Sequence, residues 1–146
     1  MLLTIERLSG GYGEVDILTG IELTLARGEI LTVAGTNGAG KSTLAKALVG
    51  LLPRVSGRIL LDGDDITAVP TEARARLGIG YVPQVANVFP SLSVVENLEV
   101  VEGVASPRAR IAELFATFPA LARRRRARAG SLSGGERQML AFARAL

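Results

Sequence analysis

The chain has 146 residues, 48% of them hydrophobic, enough for one domain with a real core and too apolar for wholesale disorder. It has no cysteine and no histidine, which excludes disulfides, Cys/His zinc sites and a Ser-His-Asp triad. The net charge of +3 is uneven, because Arg123, Arg124, Arg125, Arg126 and Arg128 cluster and the remainder is slightly acidic.

Leu2–Leu8 alternates weakly and predicts a strand, and Gly10, Gly11 and Gly13 predict a loop around Tyr12. The opening MLLTIERLSGGYG has acidic Glu6 and no basic start, unlike a signal peptide. Ile21, Leu23 and Leu25 alternate with polar or small residues, a half-buried strand. Ile30–Ala34 is a continuous apolar run, expected of a strand covered on both faces. Gly35–Gly40 reads as a loop and Lys41–Leu51 as a helix stopped by Pro53. Gly57–Gly63 predicts a strand ending in an Asp62-Gly63 hairpin turn. Thr71–Leu77 predicts a helix with Thr71 as N-cap and Gly78 as its stop, and Ile79–Val82 a short strand. Ser93–Val101 predicts a helix with a Ser93/Glu96 capping box, and Ser106–Phe118 a second with Pro107 at its first position. Ser133 begins a third with a capping box to Glu136 and an apolar stripe of Met139, Phe142, Ala143 and Leu146. No apolar run approaches the roughly 20 residues that span a bilayer.

Residues 35–43 read GTNGAGKST, a match to G-x-x-x-x-G-K-[ST]. A triphosphate needs several donors converging on its oxygens. The glycines let Gly35, Thr36, Asn37, Gly38, Ala39 and Gly40 curl so that backbone N–H groups point inward as a nest. The next helix adds its free N–H groups and positive dipole end. In this pattern Lys41 sets a point charge between the outer phosphates, Ser42 offers a hydroxyl to Mg²⁺, and Thr43 donates to an outer phosphate oxygen. The expected ligands are ATP and Mg²⁺.

Residues 132–138 read LSGGERQ and resemble the signature motif of the ABC (ATP-binding cassette) ATPases. Ser133 caps a helix there, and Gly134 and Gly135 leave the backbone N–H groups unobstructed. The resemblance implies that Ser133, Gly134, Gly135 and Glu136 face the γ-phosphate of ATP held by a partner subunit. It implies that Gln84, in YVPQ, is the glutamine touching Mg²⁺ and the attacking water, so that Lys41 and Gln84 serve catalysis and Ser42 and Gln84 the metal. Tyr12 resembles the aromatic that stacks on adenine, although a lone loop tyrosine can equally be surface or satellite core. Three segments, GYGEVDILTGIELTLARGEI, YVPQVANVFPSLSVVENL and ELFATFPALARRRRARAGSLSGGERQML, are most similar to the ATPase subunits of branched-chain amino-acid importers.

The fold class so implied is α/β: a P-loop sheet with N-terminal antiparallel strands and a helical lobe, its C-terminal part missing. The implied division is a core of about 1–83 plus 129–146 around a lobe of about 84–128. The family also carries an apolar strand ending in Asp, a catalytic Glu and a switch His after the signature helix. The chain reaches Leu146 before any of them, which reads as a truncated chain that hydrolyses ATP negligibly by itself. Asp62 follows an apolar run but precedes Gln84 and reads as a hairpin residue instead.

The implied partners are a second ATPase subunit, identical or not, and transmembrane permease subunits, at the cytoplasmic face of a bacterial or archaeal plasma membrane. Val85–Leu98 is the expected permease contact, with Val88, Phe89 and Leu92 as its apolar residues. The arginine cluster reads as a solvated helix end or as a contact with acidic loops or headgroups. No nucleic-acid partner is expected, since no aromatics interleave the run. Two other functions fit the motifs: a soluble ABC protein outside transport, and a nucleotide-binding fragment without turnover.

Overall fold

The computed structural model describes every residue except Ala86, Glu102 and Val104. The chain divides into two compact units, Met1–Ile79 and Gly80–Leu146.

The first unit is built on an antiparallel sheet of β1 (Leu3–Tyr12), β2 (Val15–Leu25), β3 (Arg54–Leu61) and β4 (Asp64–Asp65), in the order β2-β1-β3-β4. β1 runs through the glycines expected to form a loop. A Cβ at Gly10 or Gly11 would collide with the carbonyl oxygens of Arg54 and Val15, so these glycines let neighbouring strands close in. The Asp62-Gly63 turn forms as expected, with both residues at positive φ (51° and 92°), which matches the twist of the strands it joins.

Helix α1 (Lys41–Leu48) turns Thr43, Leu44 and Ala47 inward, and the core gathers Ile5, Leu8, Leu18, Leu44, Ala47, Leu52, Ile59 and Ile66. Each large aliphatic side chain buried there stabilises by about 1.5–3 kcal/mol. The helix stops at Leu48, three residues earlier than expected, because Val49 and Gly50 leave helical geometry ahead of Pro53.

Helix α2 (Thr71–Arg76) is capped by Pro70, not Thr71, whose hydroxyl instead donates to Gly50 O at 3.0 Å. Gly78 at φ 89° ends it as expected. Ile30–Ala34 and Ile79–Val82 do not form strands. Both are apolar, yet no described strand pairs with either, and a strand exists only with a ladder partner. Ile30 is consequently 95% exposed.

The second unit is helical: α3 (Val94–Glu99), α4 (Pro107–Thr117), α5 (Pro119–Arg123), a 3₁₀ turn at Ala129–Ser131, and α6 (Gly134–Ala145). Both capping boxes form, Ser93 with Glu96 and Ser133 with Glu136, and Pro107 opens α4. Two first-turn N–H groups of α3 find partners outside the helix, Val94 N on Ala127 O and Val95 N on Arg125 O, each at 3.0 Å. Residues of the 129–146 stretch, Ala129, Leu132, Leu140 and Ala143, share one apolar cluster with Val94, Leu98, Leu114 and Leu121.

On α6 the buried residues are Leu140, Ala141 and Ala143, while Phe142 and Leu146 of the expected stripe stand 52% and 68% exposed. Of the expected stripe, Met139 and Ala143 pack with the helical core beside Leu140, and Phe142 and Leu146 stand outside it. Asn97, fully buried, accepts from Phe89 N and donates to the carbonyls of Phe89, Leu92 and Ser93, fixing the loop that precedes α3.

Candidate nucleotide-binding site

The loop from Gly35 to Gly40 leads directly into α1. Gly40 is the N-cap in the left-handed region (φ 90°, ψ 4°), and no side chain caps the helix there. A Cβ at Gly40 would sit 3.3 Å from the Ile17 and Leu18 side chains, so both backbone geometry and space call for glycine. The Lys41 ammonium donates to Gly35 O at 2.8 Å and Thr36 O at 2.7 Å, folding back over the loop. Ala39 N reaches Thr36 O at 3.2 Å, and Leu44 N makes the first helical bond to Gly40 O at 2.8 Å.

The result is an exposed turn with a positive helix end and a cation beside it. Its fit to a polyphosphate rests on this uncapped helix start and on an ammonium with three donors, two of them spent on the loop. Ser42 is exposed and Thr43 is buried. Among the described residues no group of three or more Asp, Glu, His or Cys forms a metal cage.

Tyr12 closes β1 and is 43% exposed. Its hydroxyl accepts from Lys46 Nζ on α1 at 3.1 Å, and the same ammonium stands 5.5 Å from the ring centroid. Arg54 steadies the adjacent turn, donating to Gly13 O at 2.8 Å and pairing with Asp16 at 2.6 Å. Strand end and phosphate-loop helix are thus tied within one unit.

Arg74, which sequence reasoning passed over, holds the far end of α1. It is 3% exposed, and its guanidinium donates to Ala47 O (2.9 Å), Leu48 O (2.7 Å), Val69 O (2.8 Å) and Thr67 O (2.8 Å). Burial pushes this guanidinium below its ordinary pKa. The one sequence signal for it is an arginine in a short helix whose other neighbours are small. That pattern fits an exposed arginine equally well.

In the second unit Gln84 is exposed in an irregular segment. Ser133 Oγ accepts from Glu136 N at 3.2 Å, and the Glu136 carboxylate accepts from Ser133 N at 2.9 Å. The Ser133 N–H first, and the Ser133 hydroxyl after it, hold the Glu136 carboxyl below the usual carboxylate range, and Arg124 at 3.9 Å helps. Cβ atoms at Gly134 and Gly135 would meet open space, so packing does not require glycine at either. Phe89 is 48% exposed and carries the Arg144 guanidinium 4.7 Å from its ring centroid, whereas Val88 is half-buried against the helical core. Arg144 also donates to Asn87 O at 2.9 Å, and Asn87 Nδ2 donates to Gln138 Oε1 at 3.2 Å.

A family model described as ABC transporter matches residues 18–146. The whole chain aligns at 43% identity with the probable branched-chain amino acid transport ATP-binding protein LivF of Archaeoglobus fulgidus, covering 63% of that protein. It is 41% identical to the lipopolysaccharide export system ATP-binding protein LptB of Escherichia coli K12, across 99% of this chain and 62% of that one. A solved nucleotide-free ATP-binding cassette from an ABC transporter superposes with a TM-score of 0.85 at 26% identity, over 99% of this chain and 64% of the other. The chain thus spans a little under two thirds of the relatives it matches. On this evidence the chain belongs to the ABC transporter ATP-binding family, with that family's antiparallel N-terminal sheet and helices.

Proposed function

We propose that the protein is the energy-coupling subunit of an ABC importer for branched-chain or other hydrophobic amino acids, binding ATP at residues 35–43. The observation that carries the nucleotide reading is the uncapped start of α1 under a loop closed by Lys41. In this reading the N–H groups of residues 36–43 receive the phosphates and Lys41 exchanges its loop carbonyls for phosphate oxygens. The Ser42 hydroxyl and Gln84 hold Mg²⁺, which neutralises charge on the outer phosphates. Tyr12 stacks on the base. Ser133, Gly134, Gly135 and Glu136 present the α6 start to ATP on a partner subunit.

The amino-acid import part rests on the resemblance of three sequence segments, and the solute is chosen by other chains. The protein works at the cytoplasmic face of the membrane, and no helix among the described residues is long and apolar enough to cross it. Val85–Leu98, whose Ala86 lies outside the described residues, is the permease contact, supported by exposed Val85 and Phe89. Crosslinking from Phe89 and Ser91 to a permease tests that contact.

The decisive experiment is nucleotide affinity of Lys41→Ala against the parent. One charge-assisted contact is worth about 1.5–3 kcal/mol, so ATP should bind at least tenfold more weakly. Equal affinity would refute the site.

A further inference from the structure

The helical unit contains a cavity of about 390 Å³ that the proposed ATP site does not use. α3 contributes Val95 and Glu99, one helical turn apart. α4 contributes Arg108, Ile111, Ala112 and Phe115, which fall on one face at i, i+3, i+4 and i+7. Arg125 and Arg126 come from the turn after α5. That turn is pinned: Arg125 O accepts from Val95 N, and Arg124 O from Ala127 N at 2.8 Å. The groove therefore has an apolar floor and a rim of three guanidinium groups against one carboxylate.

The rim charges are available. Arg110 pairs with Glu113, and Arg124 faces Glu136. Among the described residues Arg108, Arg125 and Arg126 have no ion pair within 4 Å, and Arg108, Arg125 and Arg126 are exposed. A basic rim over an apolar floor is complementary to an anion with an apolar body.

Size decides between a protein and a small molecule. A stable protein interface takes roughly 20–30 residues and about 800 Å² on each partner. Among the described residues eight line this groove, and its volume lies at the lower end of the roughly 300–1,000 Å³ usual for small-molecule sites.

We propose that this groove binds a small soluble amphiphilic carboxylate, its apolar body on Val95, Ile111 and Phe115 and its carboxylate at the arginine rim. Glu99 opposes that charge and limits affinity.

Octanoate is the probe, followed by calorimetry and by the methyl NMR signals of Val95 and Ile111 in the purified protein. Octanoate should shift those methyls and bind more tightly than octylammonium. Each methylene added from pentanoate to octanoate should tighten binding about fourfold. Arg125→Gln and Arg126→Gln should each weaken it about two- to fivefold, and Glu99→Gln should tighten it by a similar factor. Ala112 is exposed, so Ala112→Phe fills the groove without disturbing the core and should abolish binding. Lys41→Ala should leave octanoate affinity unchanged, which separates this groove from the nucleotide site. The proposal is overturned if octylammonium binds as well as octanoate, if Ala112→Phe binds normally, or if only anionic lipid vesicles and no soluble carboxylate bind.

Discussion

Replacing Arg74 by methionine tests whether the phosphate-loop helix is held from behind. Methionine keeps most of the apolar stem and removes the charge and all donors. Four carbonyls lose a partner, and the Ala47 carbonyl lies in a buried bond. The Ala47 carbonyl still accepts from Gly50 N at 3.2 Å, so it loses a charge-assisted bond worth about 1.5–3 kcal/mol without being left bare. Water can reach the other three, whose bonds are only part-buried, so they add less. Loss of a cation at the C-terminal end of a helix adds about 0.3–1 kcal/mol.

The guanidinium has no carboxylate partner within ion-pair distance among the described residues, so no opposite charge is stranded by the change. Together these set the loss near 3 kcal/mol. For a unit of this size that lowers the melting temperature by about 12 °C or more. Thermal melts followed by circular dichroism measure it. Arg74→Lys keeps the charge but has three donors for four acceptors and should fall between parent and methionine variant. A methionine variant within about 1 kcal/mol of the parent would refute the reasoning, since the four bonds could then not be what holds the helix end.

Three further outcomes are expected. Asn97→Ala removes the hub of the loop before α3 and should destabilise the helical unit by about 2–4 kcal/mol in urea melts, whereas an exposed-surface substitution costs under about 0.5. Asp65 is lowered to about 2, chiefly by the Thr67 hydroxyl, then by the Thr67 N–H and by Arg58. A depressed carboxylate stabilises above its unfolded value and loses that contribution as pH falls through its folded one. Stability from Asp65 should therefore disappear between about pH 4 and pH 2, and an NMR titration placing Asp65 at its ordinary 3.8 would contradict this. Ser133→Ala should cost about 1 kcal/mol of stability and raise the Glu136 pKa only part of the way to its ordinary value, because the hydroxyl contribution is lost while the larger one, from the backbone N–H of residue 133, stays.

Local chemistry was the legible part. Both capping boxes, Pro107 at the start of α4, the Asp62-Gly63 turn and the loop-to-helix step at Gly40–Lys41 depend on residues within a few positions of one another. Ile30–Ala34 and Ile79–Val82 show what composition cannot supply. An apolar run states that a segment can be buried, but a strand needs a neighbour, and neighbours are set by the rest of the fold. The extension of β1 through Gly10–Tyr12 escaped for the same reason: glycines that suggest a loop instead admit two other strands. Of the site, the loop and its lysine were readable from spacing. Arg74 and Lys46 were not, because each acts on groups far along the chain and nothing about an arginine or lysine announces a distant carbonyl or hydroxyl; Asn97 acts locally, but on an irregular loop whose path no spacing rule gives.

The bond between Tyr12 and Lys46 has a consequence for what the proposed site can distinguish. It joins the ring that would meet the base to the helix that would meet the phosphates. The span between the two is then set by the protein's own contact. A ligand with too few or too many phosphates cannot reach both ends at once, so the number of phosphates and the identity of the base would be measured as a single length. Cutting the bond with Tyr12→Phe keeps the ring and loosens the span. Discrimination among nucleotides would decline before affinity for any one of them does.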